Sequence, residues 1–489
     1  MNSNQFPDIP KEKFEFVKRD KAIHDEKFET KPMGYFKDAL FRFSKNKGSV
    51  VAAIIIAILL LFAIFAPMFS NYSIDYADLY YKNVLPKNSL FAKMGFWDGT
   101  KKQTLNSAMY EYYCAIPGAV VDHYGEQEVD DGMRKTIQHT VRLDSYAMVG
   151  YQYKTISKSE LDALIAYEQE SGIQVLYPMI KTENIKAKQF TTDANFWYEA
   201  DAKAKPKKKN GELVPNFVKS EDSLRNDGYA YWKKFNDNQY QVRVLYKEYY
   251  NFTNGFYPSF IFGCDAYGQD IWVRLAGGAR FSFLLGLVVA FTNILIGVCY
   301  GSIEGYYGGA VDMTMERISE ILSSVPFIVV ATLFQLHLGK KVGVIGCLFF
   351  AFILTGWIGV AGRTRSQFYR FKGQEYVLAA RTLGAKDRRL IFKHILPNSL
   401  GTLITSSILM IPSVIFQESF LSYLGIVNLQ SKHMTSVGTL LSNGQGVLST
   451  YPHIIFFPSL FISLLMISFN IFGNGLRDAF NPSLRGAEE

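Results

Sequence analysis

Residues 49–69, SVVAAIIIAILLLFAIFAPMF, carry no charge, and this run constrains the chain more than any other feature. A helix rises about 1.5 Å per residue, so about 20 apolar residues cross a hydrocarbon core roughly 30 Å thick. Further apolar runs at 281–300, 321–338, 342–361, 400–416 and 454–472 approach that length, and together they predict six membrane spans. The first run is too long for the apolar part of a cleaved leader, and residues 1–47 are too long for its charged part. It is expected to stay as an anchor.

Charge sets the expected orientation. Lys31, Lys37, Arg42, Lys45 and Lys47 precede the first run, and the next cation after it is Lys82, which places the N-terminus in the cytoplasm. Six crossings return the C-terminus to the same side, together with the loop between spans four and five. That loop carries Arg363, Arg365, Arg370, Lys372, Arg381, Lys386, Arg388, Arg389 and Lys393 against only Glu375 and Asp387. The formal net charge of +8 thus gathers beside the membrane, and a lipid-facing, topological role explains it more simply than nucleic acid. Of the four cysteines, Cys299 and Cys347 fall in spans, while Cys114 and Cys264 lie outside and could bridge, although two cysteines lack the repeated spacing of a disulfide framework.

Residues 1–29 are charged and mixed. Behind them Met33, Phe36, Leu40 and Phe43 recur at helical spacing, either as a helix on the membrane surface or as an extension of the first span. The segment from Tyr72 to about Gly263 is rich in tyrosine, lacks any spanning run and is expected outside the cell as a mixed α/β domain. YQVRVLYKEYYNF alternates like a strand, and SKSELDALIAYEQESG opens with Ser157-x-x-Glu160, a capping-box pattern, before a helical one. Residues 201–212, DAKAKPKKKNGE, read as a solvated turn or linker. Tyr112, Tyr113, Tyr249 and Tyr250 read as core and rim of that domain before they read as a ligand platform.

No phosphate-binding loop, zinc-protease helix or nucleophile elbow occurs, so no catalytic residue and no metal ligand is assigned. His123 and His139 lack a ligand spacing in the sequence and read as structural. The spans carry packing signals: Gly297, Gly301 and Gly305 repeat every four residues, a row that lets helix backbones approach closely. Glu418 is the sharpest polar residue, because a carboxylate at mid-bilayer costs roughly 2.5–3.5 kcal/mol on insertion scales. Either it faces an aqueous pathway or a partner, or it sits at the outer boundary; Asn470 raises the same question more mildly.

The basic loop contains EYVLAARTLGAKDRRLIFKHILPN, Glu375 to Asn398. Glu375–Leu383 is predicted as a helix capped at Gly384, and Lys386–His394 as a second short helix stopped by Pro397. Two alanines, Ala379 and Ala380, keep the first helix slim, which suits insertion into a groove on another protein. A DNA-reading helix-turn-helix needs freedom to enter a major groove, and a loop held at both ends by bilayer spans lacks it.

This stretch resembles the E-A-A-x-x-x-G loop of permease subunits in binding-protein-dependent ABC importers, whose short helix docks into a cytoplasmic ATPase. Ala379, Ala380, Gly384, Leu396 and Pro397 stand at motif positions, Arg381 lies among them, Leu378 replaces the motif's glutamate, and Glu375 lies one turn earlier. FGCDAYGQDIWVRLAGGARFSFLLGL is similar to the F-G-T-D-x-x-G-R-D lead into span two of the oligopeptide, dipeptide and nickel permease group, with Cys264 and Gln269 as departures. GYYGGAVDMTMERISEILSSVPFIVV, ESFLSYLGI and FNIFGNGLRDAFNPSLRG resemble the same group's C-type subunit, so the resemblance covers Pro32 to about Leu90 and Ile261 to Gly486.

The resemblance implies a six-helix type I ABC importer permease fold, with the mixed α/β domain inserted outside between helices 1 and 2. The expected divisions are 1–47 (tail and surface helix), 48–69 (helix 1), 70–263 (insertion), 264–480 (permease core with coupling loop 362–397) and 481–489 (tail). It implies a bacterial cell membrane location, a second permease as heterodimer partner, two cytoplasmic ATPases and an external substrate-binding protein. It further implies no cofactor on this chain, with ATP and Mg on the ATPases, and no nucleic acid. Peptide import leads. Dipeptide, nickel or other small-solute import is the same-class alternative, and a membrane-anchored receptor the different-class one.

Overall fold

The structure, a computed structural model, describes residues 35–130, 135–182, 193–200, 206–431 and 433–480. Residues 1–29, read as charged and mixed, and 481–489, expected as a tail, lie outside the described residues. Leaving out single-turn pieces, the helices are α1 (Tyr35–Lys45), α2 (Lys47–Phe65), α3 (Ser107–Cys114), α4 (Lys158–Ser171), α5 (Tyr246–Asn254), α6 (Ile271–Tyr307) and α7 (Gly309–Ser323). They continue as α8 (Phe327–Gly356), α9 (Ile358–Phe371), α10 (Glu375–Thr382), α11 (Leu396–Ser407), α12 (Met410–Tyr423), α13 (Val437–Gly444) and α14 (His453–Phe480).

Five helical stretches among the described residues are long and apolar enough to cross a membrane: Lys47–Phe69, Ile271–Tyr307, Phe327–Phe371, Asp387–Tyr423 and His453–Phe480. The six expected runs differ at one place. Phe327–Phe371 is a single stretch by length, but its backbone leaves the helix at Gly343 (φ 75°, ψ 167°). Phe327 stacks on Phe352 at 4.8 Å, and the Cys347 thiol donates to Phe334 O at 3.3 Å, so the two arms run antiparallel around that glycine. A left-handed φ there is open to glycine at no steric cost, which lets one residue make the reversal.

α2 is apolar all round, as a helix in an apolar medium is. Ala52, Ile56, Leu59 and Ala63 bury one stripe against the core that α14 shares, while Ile54, Ile58 and Leu61 face outward. α1 is separated from α2 at Asn46, whose side chain accepts from Ser49 N at 3.2 Å and starts the new helix, so α1 is no straight extension of the first span. Its inward pair is Ala39 and Phe43, with Phe43 edge-on to Phe472 at 5.4 Å. Leu40, expected on the same stripe as Phe43, is 68 % exposed, because the close approach to α14 selects the small Ala39 instead.

The region between α2 and α6 holds two main sheets. β1 (Thr100–Asn106), β2 (Val120–Asp130) and β3 (Lys135–Asp144) form an antiparallel sheet in the order β1-β3-β2. β4 (Tyr151–Ser157), β5 (Leu176–Tyr177), β6 (Lys208–Lys209), β7 (Glu212–Leu213), β8 (Trp232–Asn236) and β9 (Gln239–Leu245) follow. β9 pairs with β4 on one edge and with β8 and β5 on the other, while β6 and β7 form a hairpin turning at Asn210-Gly211. Both turn residues have positive φ, the conformation that favours Asn-Gly in two-residue hairpins. α4 starts as its sequence pattern predicts: Ser157 accepts from Glu160 N at 3.2 Å, and Gly172 closes the helix with φ 70°. YQVRVLYKEYYNF is half strand and half helix. The strand ends at Leu245, and Tyr246, Tyr249 and Tyr250 then fall on one side of α5, their i, i+3, i+4 spacing turning them into the domain core.

The two ends of this region are laced together. Asp78 N donates to Gly268 O, Asn83 N to Asp265 O and Cys264 N to Val84 O at 3.0–3.1 Å, and Lys87 N donates to Phe260 O at 2.8 Å. Tyr81, Tyr146, Tyr246, Tyr250 and Phe260 fill the space beneath. A Cβ on Gly268 would lie 1.9 Å from Asp78 O, so only glycine permits this approach. Cys114 is exposed and Cys264 buried, both as free thiols.

Asp270 caps α6, accepting from Trp272 N at 3.0 Å and from Ser70 Oγ at 3.1 Å. Burial pushes its carboxyl from the ordinary 3.8 up to about 7. The folded chain therefore keeps a proton that the unfolded chain releases near 3.8, and stability is lost as pH rises from about 4 through about 7. Asp270→Asn should flatten that slope; unfolding temperatures of detergent-solubilised protein at pH 5 and pH 8 measure it.

Candidate functional site

α10 and its flanks are held to the end of α6 by a small set of contacts. The Tyr306 hydroxyl donates to Asp387 Oδ1 at 2.5 Å, Arg381 Nη2 donates to the Tyr306 hydroxyl at 3.3 Å, and Lys372 Nζ donates to Gly305 O at 2.9 Å. Val377, Leu390, Ile391 and Ile395 pack with Tyr306 and Phe368 in one cluster, with Ala380 and Leu396 against its edge. The helix ends in a Schellman turn: Gly384 N bonds Arg381 O at 2.9 Å, Ala385 N bonds Ala380 O at 3.0 Å, and Gly384 has φ 83°.

The outward face differs from the expected one. Ala380 turns partly inward, so the exposed rim consists of Leu378, Ala379 and Leu383, with Glu375, Arg381 and Gly384 exposed around it. Leu383 is 88 % exposed and Leu378 46 %. Leu383 escaped the sequence reading; its signal was its place immediately before the capping glycine, which lifts it off the helix. Pro397 does not stop a helix. Leu390–Ile395 makes a π-helical turn that runs into α11, with Pro397 in the first turn, where its missing N–H costs little. Leu396 is half-buried and Pro397 exposed.

The glycine row behaves as its spacing predicts. A Cβ on Gly297 would lie 2.6 Å from Val360 Cβ, on Gly301 2.2 Å from Ala361 O, and on Gly305 2.7 Å from Phe368 Cβ. α6 and α9 therefore touch backbone to backbone. Arg365 on α9 donates twice to Asp312 on α7, from Nε at 2.5 Å and Nη2 at 2.8 Å, and Tyr369 donates to the same carboxylate at 2.7 Å. A bidentate pair fixes direction as well as distance. α6, α7 and α9 thus form one block, and α10 is mounted on it.

Glu418 lies on α12. It is fully buried between helices, accepting from Ser282 Oγ at 3.1 Å, Ser422 Oγ at 2.9 Å and Ser419 Oγ at 3.4 Å. Three hydroxyls satisfy the carboxyl, so it ties α6 to α12. Asn470 is exposed, with its amide donating to Met466 O of its own helix at 2.8 Å. The neighbouring Gln417 is the residue that reaches open space. It lines a cleft of about 610 Å³ together with Asn293, Arg363, Ser413 and Arg477 over an apolar floor that includes Phe327 and Phe352.

In the β domain, His123 and His139 are brought together with Glu126, against the expectation that they stand alone; their ligand atoms lie within 4.8 Å of one another. They are 16 residues apart in sequence, and only the β2–β3 pairing joins them.

Long apolar helices packed through glycines, a polar cleft among them and an apolar-tipped helix clamped to their ends define a polytopic membrane transport subunit. Residues 293–486 match the model of the binding-protein-dependent transport system inner membrane component, and residues 34–86 that of the N-terminal TM domain of oligopeptide transport permease C. Curated relatives include the oligopeptide transport system permease protein OppC of Bacillus subtilis, 45 % identical over 224 residues, 46 % of this chain and 72 % of that protein. The dipeptide transport system permease protein DppC of Bacillus subtilis is 42 % identical over 46 % of this chain and 69 % of its own length. OppC of Escherichia coli is 37 % identical over 46 % of this chain and 72 % of its own length. The chain belongs to the binding-protein-dependent permease family that these proteins represent. Among solved structures, the inward-facing MetNI methionine ABC transporter aligns at a TM-score of 0.35 with 16 % identity over 42 % of this chain and 96 % of that chain, too low to transfer geometry.

Proposed function

We propose that this chain is a transmembrane permease subunit of an ATP-driven, binding-protein-dependent importer of oligopeptides. The observation that carries this reading is the clamped α10, whose apolar rim of Leu378, Ala379 and Leu383 stands out from a block built on α6. In this reading the chain crosses the membrane six times, the Gly343 reversal separating spans three and four. Both termini are cytoplasmic and 70–263 is an extracytoplasmic insertion. Two ATPases holding ATP and Mg grip α10, a second permease completes the pathway, and a binding protein delivers substrate outside. Leu378 makes the grip apolar where a glutamate would make it ionic. Rigid-body closure of the ATPases moves α10, and with it the α6, α7 and α9 block, which opens the path to the other side.

The cleft beside Gln417 is this subunit's share of that path. Arg363 and Arg477 offer cationic donors to peptide carboxylates and backbone carbonyls, while Asn293, Ser413 and Gln417 offer neutral ones. Dipeptides are the second reading, favoured by the dipeptide permease among the relatives. Co-expression with partner subunits, purification of the complex and ATP-dependent uptake of labelled peptides into proteoliposomes test both. Replacing Arg363 and Arg477 together by glutamine should cut uptake about tenfold or more, because hydrogen bonds to charged groups contribute roughly 1.5–3 kcal/mol each. Failure to recover an ATPase with the chain overturns the transporter reading and favours an anchored receptor.

A further inference from the structure

We propose that His123, Glu126 and His139 bind one divalent transition-metal ion, zinc by donor set, on the edge of the three-stranded sheet. The site is built by a register defect. β2 and β3 pair His123 with Val141 and Glu126 with His139, and an extra residue on β2 between His123 and Gly125 breaks the alternation. Without that bulge His123 and Glu126 would point to opposite faces; with it both share the face of His139. Tyr124 is the extra residue, and Gly125, at φ 140°, follows it opposite Thr140.

The distances suit a metal better than a hydrogen-bond chain. His139 Nδ1 lies 3.4 Å from His123 Nε2 and 3.4 Å from Glu126 Oε1. Tetrahedral zinc with ligand bonds of about 2.0–2.1 Å has ligand–ligand edges of about 3.3–3.4 Å. The Ser107 hydroxyl donates to Ile137 O at 3.3 Å, so it accepts from His139 Nε2–H at 3.2 Å. Nδ1 of His139 is then the ring nitrogen that faces the Glu126 carboxylate oxygen, and that contact at 3.4 Å leaves room for a cation between them.

The His139–Ser107 bond has the form of the outer partner that orients a metal-bound imidazole. Tyr110 supports the arrangement, stacked on His139 at 4.2 Å and 10° and facing His123 at 5.0 Å. Two imidazoles and one carboxylate leave a fourth position for water or an outside ligand. The ion clips the exposed strand β2 to β3 and holds it near α3, which carries Ser107 and Tyr110.

Full-length protein, purified in detergent through a histidine-free tag and stripped of metal, would be titrated with Zn2+ against a chromophoric chelator. One equivalent at micromolar affinity or tighter is expected, with X-ray absorption showing two imidazole nitrogens in the shell. His123→Ala, at an exposed position, should weaken binding at least 100-fold without unfolding the sheet, and Ser107→Ala should weaken it about 10- to 100-fold by freeing the His139 tautomer. Equal titration of wild type and His123→Ala, or no stoichiometric binding, overturns the site.

Discussion

Gly384→Val is expected to leave the chain folded in its membrane and to reduce ATP-driven uptake to a tenth or less while ATP hydrolysis continues. Gly384 sits at φ 83° with nothing within 4 Å of the position a Cβ would take, so the substitution meets no neighbour. Its cost is conformational, about 1–2 kcal/mol for any L residue held left-handed and more for a β-branched one. The chain relieves that strain by abandoning the turn that holds Ala385 N on Ala380 O. Leu383 and Leu378 then lose their fixed direction, and an ATPase gripping them moves a slack element. Uptake and hydrolysis measured in the same proteoliposomes separate the two effects. Normal uptake by the variant would sink the coupling role of α10.

Gly301→Leu is expected to act earlier and harder, removing the folded protein itself. The Cβ alone would lie 2.2 Å from Ala361 O and 2.8 Å from Ala361 C, so two backbones must part. Overpacking typically costs 1–3 kcal/mol when side chains can move. Here the obstruction is main chain, and the separation also opens the contacts at Gly297 and Gly305 one turn away on either side. Gly362→Leu is the control, since a Cβ there meets nothing within 4 Å although it lies beside Ala361 in sequence. Monodisperse yield and unfolding temperature in detergent should drop sharply for the first variant and stay near wild type for the second.

The helices were legible because a membrane-crossing segment announces itself by length and composition alone, as 49–69 does. The glycine row was legible because the four-residue spacing is itself the geometry of a helix stripe. The sequence breaks the apolar pattern at 339–341, whereas the backbone reverses at Gly343, just inside the run 342–361, and the antiparallel arms appear only in the contacts of Phe327 with Phe352. Glu418 drew attention through its charge, whereas one position earlier Gln417 reaches the cleft; a helix turns about 100° per residue, and no local pattern fixed its rotation. The outward rim of α10 shifted from Ala380 to Leu383 for the same reason, since the inward side was defined by Tyr306, far away in sequence. The histidine pair was invisible because a single-residue bulge decides which face β2 presents, and sequence alternation cannot place a bulge.

The lacing of 78–87 onto 260–268 has a consequence for how such a chain tolerates change. Its hydrogen bonds and the Tyr81–Phe260 core close a neck between the β-sheet region and the long helices. Joining the ends of a loop becomes costlier only slowly as the loop lengthens, and a neck that is already shut removes even that dependence from the helices beneath. A trimmed or exchanged segment must therefore keep Tyr146, Tyr246 and Tyr250, which fill the neck, and Trp97, which packs on Phe457 of α14, for the clasp at Gly268 to fasten above intact helices.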